Sequence, residues 1–446
     1  MSTICALSTP RGVGGIAVVR VSGEQAINIC AALVRPIKQR LEQVGSNRTV
    51  FAKVYDDEKT LDEVMVTVFR APHSFTGEDT VEISCHGGIY ITERLLTLLL
   101  AQGCVMAAAG EFTKRAYLNG KLDLAQAEAV IDLIHARSPL QARNALGQLD
   151  GRLSRKVSAL RAALCEIGTE IMAYVDYPEE TIGEIDEASI TQRLSQNATS
   201  LEKLLRSFDM GHLIREGIPT AIIGKPNVGK STLMNALLGK DKSIVTDIAG
   251  TTRDTVEESA LVGDMVLHLM DTAGIRETSD TVEAIGVERA RAAAESAALV
   301  IALIDGSRPP DDEDKAILSI AKEKRSILII NKSDLPQQAE LTDLAPVIRL
   351  SAKNEDGLEA LHQAIRAMFK TETVEGESLN NLRQRQAVSE ALVLVQSALS
   401  AMESGLGADM AGLDVTSAAE ALATLTGESV REQMIEDIFS RFCVGK

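Results

Sequence analysis

The run Gly224-Lys225-Pro226-Asn227-Val228-Gly229-Lys230-Ser231, set between the apolar stretch TAII and the helical pattern STLMNALLG, leaves this chain few folds. It fits G-x-x-x-x-G-K-[ST] in the strand-loop-helix context that a phosphate-binding loop requires. Its glycines let backbone N–H groups turn inward around phosphate oxygens, and the following helix points its partial positive end at the same anion. Lys230 is placed to reach the β- and γ-phosphates, and the Ser231 hydroxyl to take a Mg2+ position. Asn227, Val228, Gly229 and Thr232 complete the expected cradle. Around it, residues 216–375 alternate apolar strands (TAIIG, MVLHLM, LVIALID, SILII, PVIRL) with helices, the pattern of a mainly parallel sheet covered on both faces.

Further elements arrive in order, each just after a strand. Asp271-Thr272-Ala273-Gly274 follows MVLHLM: its carboxylate can bind Mg2+ through water, and the Gly274 N–H can sense a γ-phosphate. Asn331-Lys332-Ser333-Asp334 follows SILII, and a carboxylate at Asp334 can accept from guanine N1–H and the exocyclic amine, a donor pair adenine lacks. Ser351-Ala352-Lys353 follows PVIRL and resembles the loop that backs the guanine ring. Together these predict a GTP-binding domain. Thr246-Asp247-Ile248-Ala249-Gly250-Thr251-Thr252 resembles the switch segment of translation-factor-like GTPases, where the second Thr completes the Mg2+ shell. Ile275 stands where Ras-like enzymes carry a water-orienting Gln, so another group must orient the water. Nearby polar candidates are Arg253, Arg276, Glu277, Asp280 and Glu283, and the residues alone do not choose among them.

The remainder of the 446 residues is long enough, at roughly 100 to 200 residues per domain, for two to four domains in all. Residues 1–118 alternate β-branched runs (15–23, 49–56, 64–70, 80–85) with a helix at 91–103 closed by Gly103, which predicts an α+β unit. Residues 119–215 and 376–446 read as helical, so the expected architecture is one helical domain whose halves flank an inserted α/β P-loop GTPase domain. Leu149, Leu153, Val157, Leu160, Leu164, Ile167 and Ile171 are expected on one stripe of a single helix, with further helices at 189–213, 381–402 and 413–442. A net charge of −17 excludes a diffuse basic field, and the absence of Trp argues against a surface of stacking platforms, so any RNA contact must be local. One such feature is Arg137, Arg143, Arg152, Arg155, Lys156 and Arg161 on predicted helix, a candidate track for a phosphate backbone or else a solvated face. The six cysteines (5, 30, 85, 104, 165, 443) show no C-x-x-C spacing, which predicts neither a zinc ribbon nor a disulfide framework. With no secretion signal or membrane-span pattern, a reduced cytoplasmic protein is expected.

GKPNVGKSTLMNALLG, IVTDIAGTTRD, SDTVEAIGVERA, GEFTKRAYLNGKLDLAQAEAVIDLI and the terminal FCVGK together resemble the MnmE (TrmE) family of tRNA modification GTPases along the whole chain. The resemblance implies a homodimeric, K+-activated GTPase working with a flavoprotein partner, MnmG (GidA). Such a complex installs a C5 aminomethyl-type (carboxymethylaminomethyl) group on the wobble uridine of certain tRNAs, using a one-carbon unit from 5-formyl- or methylene-tetrahydrofolate. It further implies that Asn227, Thr246, Ile248 and Thr251 hold K+, that Ser231 and Thr252 hold Mg2+, and that Glu283 orients water, with Lys230 and Gly274 at the reacting phosphates.

By the same resemblance the N-terminal domain is of the folate-binding, glycine-cleavage type and forms the dimer interface. Arg20, Glu82, Lys121 and Lys446 would contact folate, and Cys443 would serve either as a thiol in the chemistry or as a structural part of that site. His86 before Gly87-Gly88 has no second metal ligand at suitable spacing and is expected to be a hydrogen-bonded pocket histidine. Ala109 and Val444 stand where relatives often carry Pro and Ile. The G-domain motifs alone would also suit a GTPase switch in ribosome assembly; GKLDLAQAEAV and FCVGK argue against it. A folate-dependent transferase regulated by its G domain is the other alternative.

Overall fold

The computed structural model describes residues 1–176, 186–239, 258–270, 282–339, 346–369, 376–404 and 408–445. The chain divides into two compact units: residues 1–131, 149–197 and 393–446, and residues 132–148 and 198–392.

The first unit contains β1 (Ile4–Leu7), β2 (Ile16–Ser22), β3 (Val34–Pro36), β4 (Arg48–Asp56), β5 (Lys59–Phe69), β6 (Thr80–His86) and β7 (Val105–Met106). They form one sheet in the order β3-β4-β5-β6-β2-β1-β7, antiparallel except for β1 beside β7. Alternation decides which face is core: Ala17, Val19 and Val21 of β2 point with Val64, Val66 and Val68 of β5 toward the helices Ala26–Leu33 and Ile89–Ala101. On the other face of the sheet, Ile16 of β2, Phe51 of β4 and Met65 of β5 remain exposed. This is the expected α+β unit.

Helical periodicity also held, with two breaks that the spacing did not reveal. Leu149 ends the helix Pro139–Leu149, and the buried stripe begins anew in Arg152–Asp176 with Leu153, Val157, Leu164, Ile167 and Ile171. Between them Gly151 takes φ +76°, a left-handed conformation that interrupts a right-handed helix while leaving the apolar spacing intact. The 413–442 segment likewise splits into Ala408–Thr426 and Glu432–Phe439, parted at Gly427 (φ +91°), whose carbonyl accepts from Tyr117 Oη at 2.6 Å. Arg152–Asp176 packs along Ala408–Thr426, with Gly168 beside Thr416 and Gly412 beside Ile171. The helix expected at 189–213 runs Glu187–Glu216, and that at 381–402 runs Leu382–Glu403.

The second unit holds β8 (Ile218–Gly224), β9 (Glu258–Val262), β10 (Met265–Met270), β11 (Leu299–Asp305), β12 (Ser326–Asn331) and β13 (Val347–Arg349). The order β13-β12-β11-β8-β10-β9 is parallel except for the β9–β10 pair. β11 is buried at every position, and separate apolar clusters cover the two faces of the sheet. The parallel strands β8, β11, β12 and β13 end at the same edge, which is where the nucleotide motifs begin. Among the described residues no helix is long and apolar enough to cross a membrane.

Candidate functional site

The phosphate loop joins the end of β8 to the helix Lys230–Gly239. Asn227 (φ 63°) and Gly229 (φ +105°) are both left-handed, so the backbone curls into a concavity of the kind that binds anions. A side chain at Gly229 would collide with the Asn331 amide, which explains the glycine on packing grounds as well. Lys230 Nζ donates to the carbonyls of Gly224 and Lys225, both at 2.8 Å, and thus lies across the mouth of the loop. Ser231 and Thr232 are exposed at the first turn of the helix.

Asn331, at the end of β12, unites the motifs. Its buried Nδ2 donates to Val228 O at 2.7 Å, while its Oδ1 accepts from Ala352 N at 2.9 Å. One amide therefore ties the phosphate loop to the loop after β13. The Asp334 carboxylate is exposed and accepts from Ser351 Oγ at 2.7 Å, a bond that holds its pKa below the usual carboxylate range. Lys332 (φ 64°) pairs with Asp305 at 2.7 Å. Burial pushes the Asp305 pKa up, but hydrogen bonds from Lys332 and Ser307 outweigh it, and the net shift is downward. Lys353 is exposed beside this loop, and Ser333 N donates to Leu350 O at 3.1 Å. The structure thus brings together Asn227, Val228, Gly229, Lys230, Asn331, Ser351 and Ala352, with Asp334 on the same rim.

Several expected residues lie outside the described ones: Thr246, Asp247, Ile248, Ala249, Gly250, Thr251, Thr252, Arg253, Asp271, Thr272, Ala273, Gly274, Arg276, Glu277, Asp280 and Lys446. Glu283 falls in the first turn of the helix Val282–Ser296, and its side chain is outside the description as well.

A second constellation sits on the sheet of the first unit. Arg20 of β2 and Glu82 of β6 are register partners, and their side chains meet at 2.7 Å. Both are half-buried, and the Arg20 guanidinium lies over the rings of Phe112 (5.5 Å) and Phe75 (5.8 Å). The two aromatics were not anticipated, since each reads as a lone apolar residue in its own segment. Lys121 is exposed and donates to Pro72 O at 3.0 Å; its stem would touch a side chain at Gly77, so it follows the loop that carries Phe75.

The C-terminal segment docks on the same unit. Cys443 O accepts from Gly110 N at 3.2 Å, Val444 bridges Ala109, and Gly445 O accepts from Ser8 Oγ at 3.1 Å. Gly445 (φ +93°) abuts Leu7 O so closely that only glycine fits. The Cys443 thiol itself is exposed. By contrast Cys85 is buried, and burial pushes its thiol up to about 11. His86 is hydrogen-bonded through Nδ1 to Asp62 at 2.7 Å, as expected of it, but it is 72% exposed rather than set in a pocket. Among the described residues no three or more His, Cys, Asp or Glu cluster so as to hold a metal ion.

The basic stripe is partly neutralised. Arg143 pairs with Asp264 at 2.9 Å and Arg161 with Glu428, whereas Arg155 donates to the Asp150 backbone carbonyl, which does not offset its charge. Arg137 is exposed.

Comparison with known proteins decides the family. The description "MnmE helical domain" matches residues 124–443, and "GTP-binding protein TrmE N-terminus" matches residues 3–121. The tRNA modification GTPase MnmE of Acetivibrio thermocellus is 41% identical over 459 residues, spanning 100% of this chain and 99% of that protein. The chain belongs to the MnmE family. The protein of that name from Lactococcus lactis strain IL1403 is 42% identical over 449 residues, covering 100% of this chain and 98% of its own. A solved structure of Aquifex aeolicus Era bound to GDP and AlF4- is 28% identical over 40% of this chain and 67% of that one, with a TM-score of 0.27. As an MnmE-family member the chain is a GTP hydrolase acting in tRNA modification, built from a TrmE-type N-terminal domain, a helical domain and a P-loop G domain.

Proposed function

We propose that GTP hydrolysis in this chain drives modification of the wobble uridine of tRNA, with the work divided between two sites. The observation that carries the reading is the Asn331 bridge, because it sets a guanine-reading loop and a phosphate cradle at fixed spacing. Lys230 binds the β- and γ-phosphates, Asp334 reads the guanine, and Ser333, Ser351, Ala352 and Lys353 shape the base pocket. The left-handed Asn227 and the exposed Ser231 fit cation binding beside the phosphates. Ser231 and Thr252 would hold Mg2+, with Asp271 reaching it through water, and Asn227, Thr246, Ile248 and Thr251 would hold K+. Held by those residues, the two cations would supply positive charge where negative charge develops between the phosphates. Glu283 orients the attacking water, the task that Ile275 cannot perform, and the Gly274 N–H registers the γ-phosphate.

The Arg20–Glu82 pair, flanked by Phe75 and Phe112, suits a flat heteroaromatic ligand with amino and ring N–H donors, as in a tetrahydrofolate. Folate would supply the one-carbon unit; Lys121 and Lys446 would meet its anionic tail, and Cys443, whose carbonyl accepts from Gly110 N, would serve the site as a thiol or structurally. The exposed sheet face bearing Ile16, Phe51 and Met65 suits a second copy of the chain, and the modification would require a flavoprotein partner of the MnmG (GidA) kind. On this reading the activity is cytoplasmic. Domain boundaries near 118, 215 and 375 accompany this reading.

The test compares GTP turnover in K+ and Na+, with and without Glu283→Ala, and measures C5-modified wobble uridines by mass spectrometry of tRNA. Removing a positioned catalytic group should cost about 10²-fold in turnover while nucleotide still binds. Equal rates in both salts would end the K+ assignment, and unchanged nucleosides in cells lacking the protein would end the modification reading.

A further inference from the structure

The second residue of the phosphate loop has a role that its sequence position does not announce. Lys225 Nζ lies 2.6 Å from Asp311 Oδ2 and 2.9 Å from Glu313 Oε2 at the start of the helix Asp312–Lys322. Asp311 caps that helix in a reciprocal box with Asp314, whose carboxylate is fully buried and pairs with Arg308 at 2.9 Å. The acidic helix start is therefore braced independently of Lys225, through Arg308 and the cap, and the helix dipole favours its negative charge. Lys225 reaches across to this braced point from the phosphate loop. The Lys225 side chain is 18% exposed, against 48% for Asp311 and 24% for Glu313, so the pair with Glu313 is the better shielded of the two.

What Lys225 holds in place is its own peptide. The Lys225 carbonyl is one of the two oxygens that accept from Lys230 Nζ, at 2.8 Å. Asn331 fastens the far side of the loop by donating to Val228 O. The loop is thus pinned at both ends, by a buried amide on one side and a double ion pair on the other.

We infer that Lys225 is a positioning residue, whose clasp on Asp311 and Glu313 fixes the carbonyl that aims the Lys230 ammonium at the phosphates. This rests on Lys230 being the phosphate-binding lysine. A loop held at one end only would let that carbonyl wander, and Lys230 would be less often aligned with charge developing in the transition state.

The experiment measures steady-state GTP hydrolysis by the full chain for wild type, Lys230→Ala, Lys225→Met, Lys225→Arg, and Asp311→Asn combined with Glu313→Gln, with melting temperatures alongside. Asn retains the cap, so the last variant removes charge without uncapping the helix. We expect Lys225→Met to lower kcat about tenfold, short of the roughly 10²-fold that an ångström of misplacement can cost, with a smaller change in KM. The carboxylate pair variant should show the same loss, Lys225→Arg should retain most activity, and adding Lys225→Met to the pair variant should cost nothing more. Turnover within about twofold of wild type for Lys225→Met, or losses that add, would overturn the clasp. If Lys225→Met proves unstable, the pair variant reads the clasp from its other side. Lys230→Ala separates the two claims: unimpaired hydrolysis in that variant would remove the phosphate assignment itself, whereas its loss beside a fully active Lys225→Met removes only the clasp.

Discussion

The nucleotide site of the second unit and the Arg20–Glu82 site of the first are assembled by opposite rules. In the G domain each contributing loop follows directly from a strand end, and the phosphate loop is shaped by local backbone conformation, as at Asn227 and Gly229. In the N-terminal sheet the site is made of side chains from β2, β6, the 72–77 loop and the helix Glu111–Leu118, joined only because antiparallel register puts residue 20 opposite residue 82. A local site can be read as a motif; a register-built site has no motif to read. The contrast also predicts independence: damage to one site should leave the other's local geometry intact.

The hardest blow to the comparison is at the phosphate loop. Lys230→Ala should lower GTP turnover by about 10²- to 10³-fold, the usual cost of deleting a group that meets transition-state charge, and should leave unchanged, by calorimetry, any binding of folate at the proposed Arg20–Glu82 site. Folate affinity falling in parallel would mean that the two sites are not separable. Next in size, Asp334→Asn should weaken GTP binding by about tenfold to a hundredfold, the cost of leaving guanine donors poorly matched, with ATP binding little affected. A nucleotide-exchange titration with fluorescent GTP and ATP measures the ratio.

On the other side of the comparison, Gly445→Ala places a Cβ against Leu7 O in a left-handed conformation that costs L-residues about 1 to 2 kcal/mol. Hydrogen exchange at Gly110 and Val444 should speed up, and tRNA modification should fall while GTP turnover holds. Loss of turnover in that variant would show that the tail matters beyond its own unit.

The smallest effect concerns pH. Asp305 has its folded pKa depressed, with the Lys332 and Ser307 hydrogen bonds outweighing burial, so its stabilising contribution is full above the ordinary carboxylate value. That contribution is lost as pH falls through the lower folded value. Asp305→Asn should remove this part of the acid dependence, by about 1 kcal/mol or less for a single ion pair, and melting curves between neutral and acidic pH would register it.

Much of this molecule was legible before any coordinates. The α+β unit, the long helices and the parallel sheet followed from apolar periods of two and 3.6, since burying one face requires those spacings. The phosphate loop, Asn331 and Asp334 were legible because backbone-built sites leave glycines and short polar runs at fixed offsets. What periodicity missed were interruptions that preserve the apolar spacing: the stripe from Leu149 to Ile171 continues in phase across Gly151, so the sequence looks like one helix where there are two. Phe75 and Phe112 escaped notice because nothing local marks an aromatic that will flank an arginine from another segment.

The sequence alone determined the layer types, the order of the nucleotide motifs and, through resemblance, the family, because these depend on interactions between near neighbours or on motifs held together in the chain. Tertiary structure alone decided that Arg20 meets Glu82, that the C-terminal tail closes on Leu7 and Gly110, and that Lys225 reaches Asp311 and Glu313. Those contacts join residues tens to hundreds of positions apart, and their partners are chosen by strand register and the packing of separate elements, which no window along the chain contains.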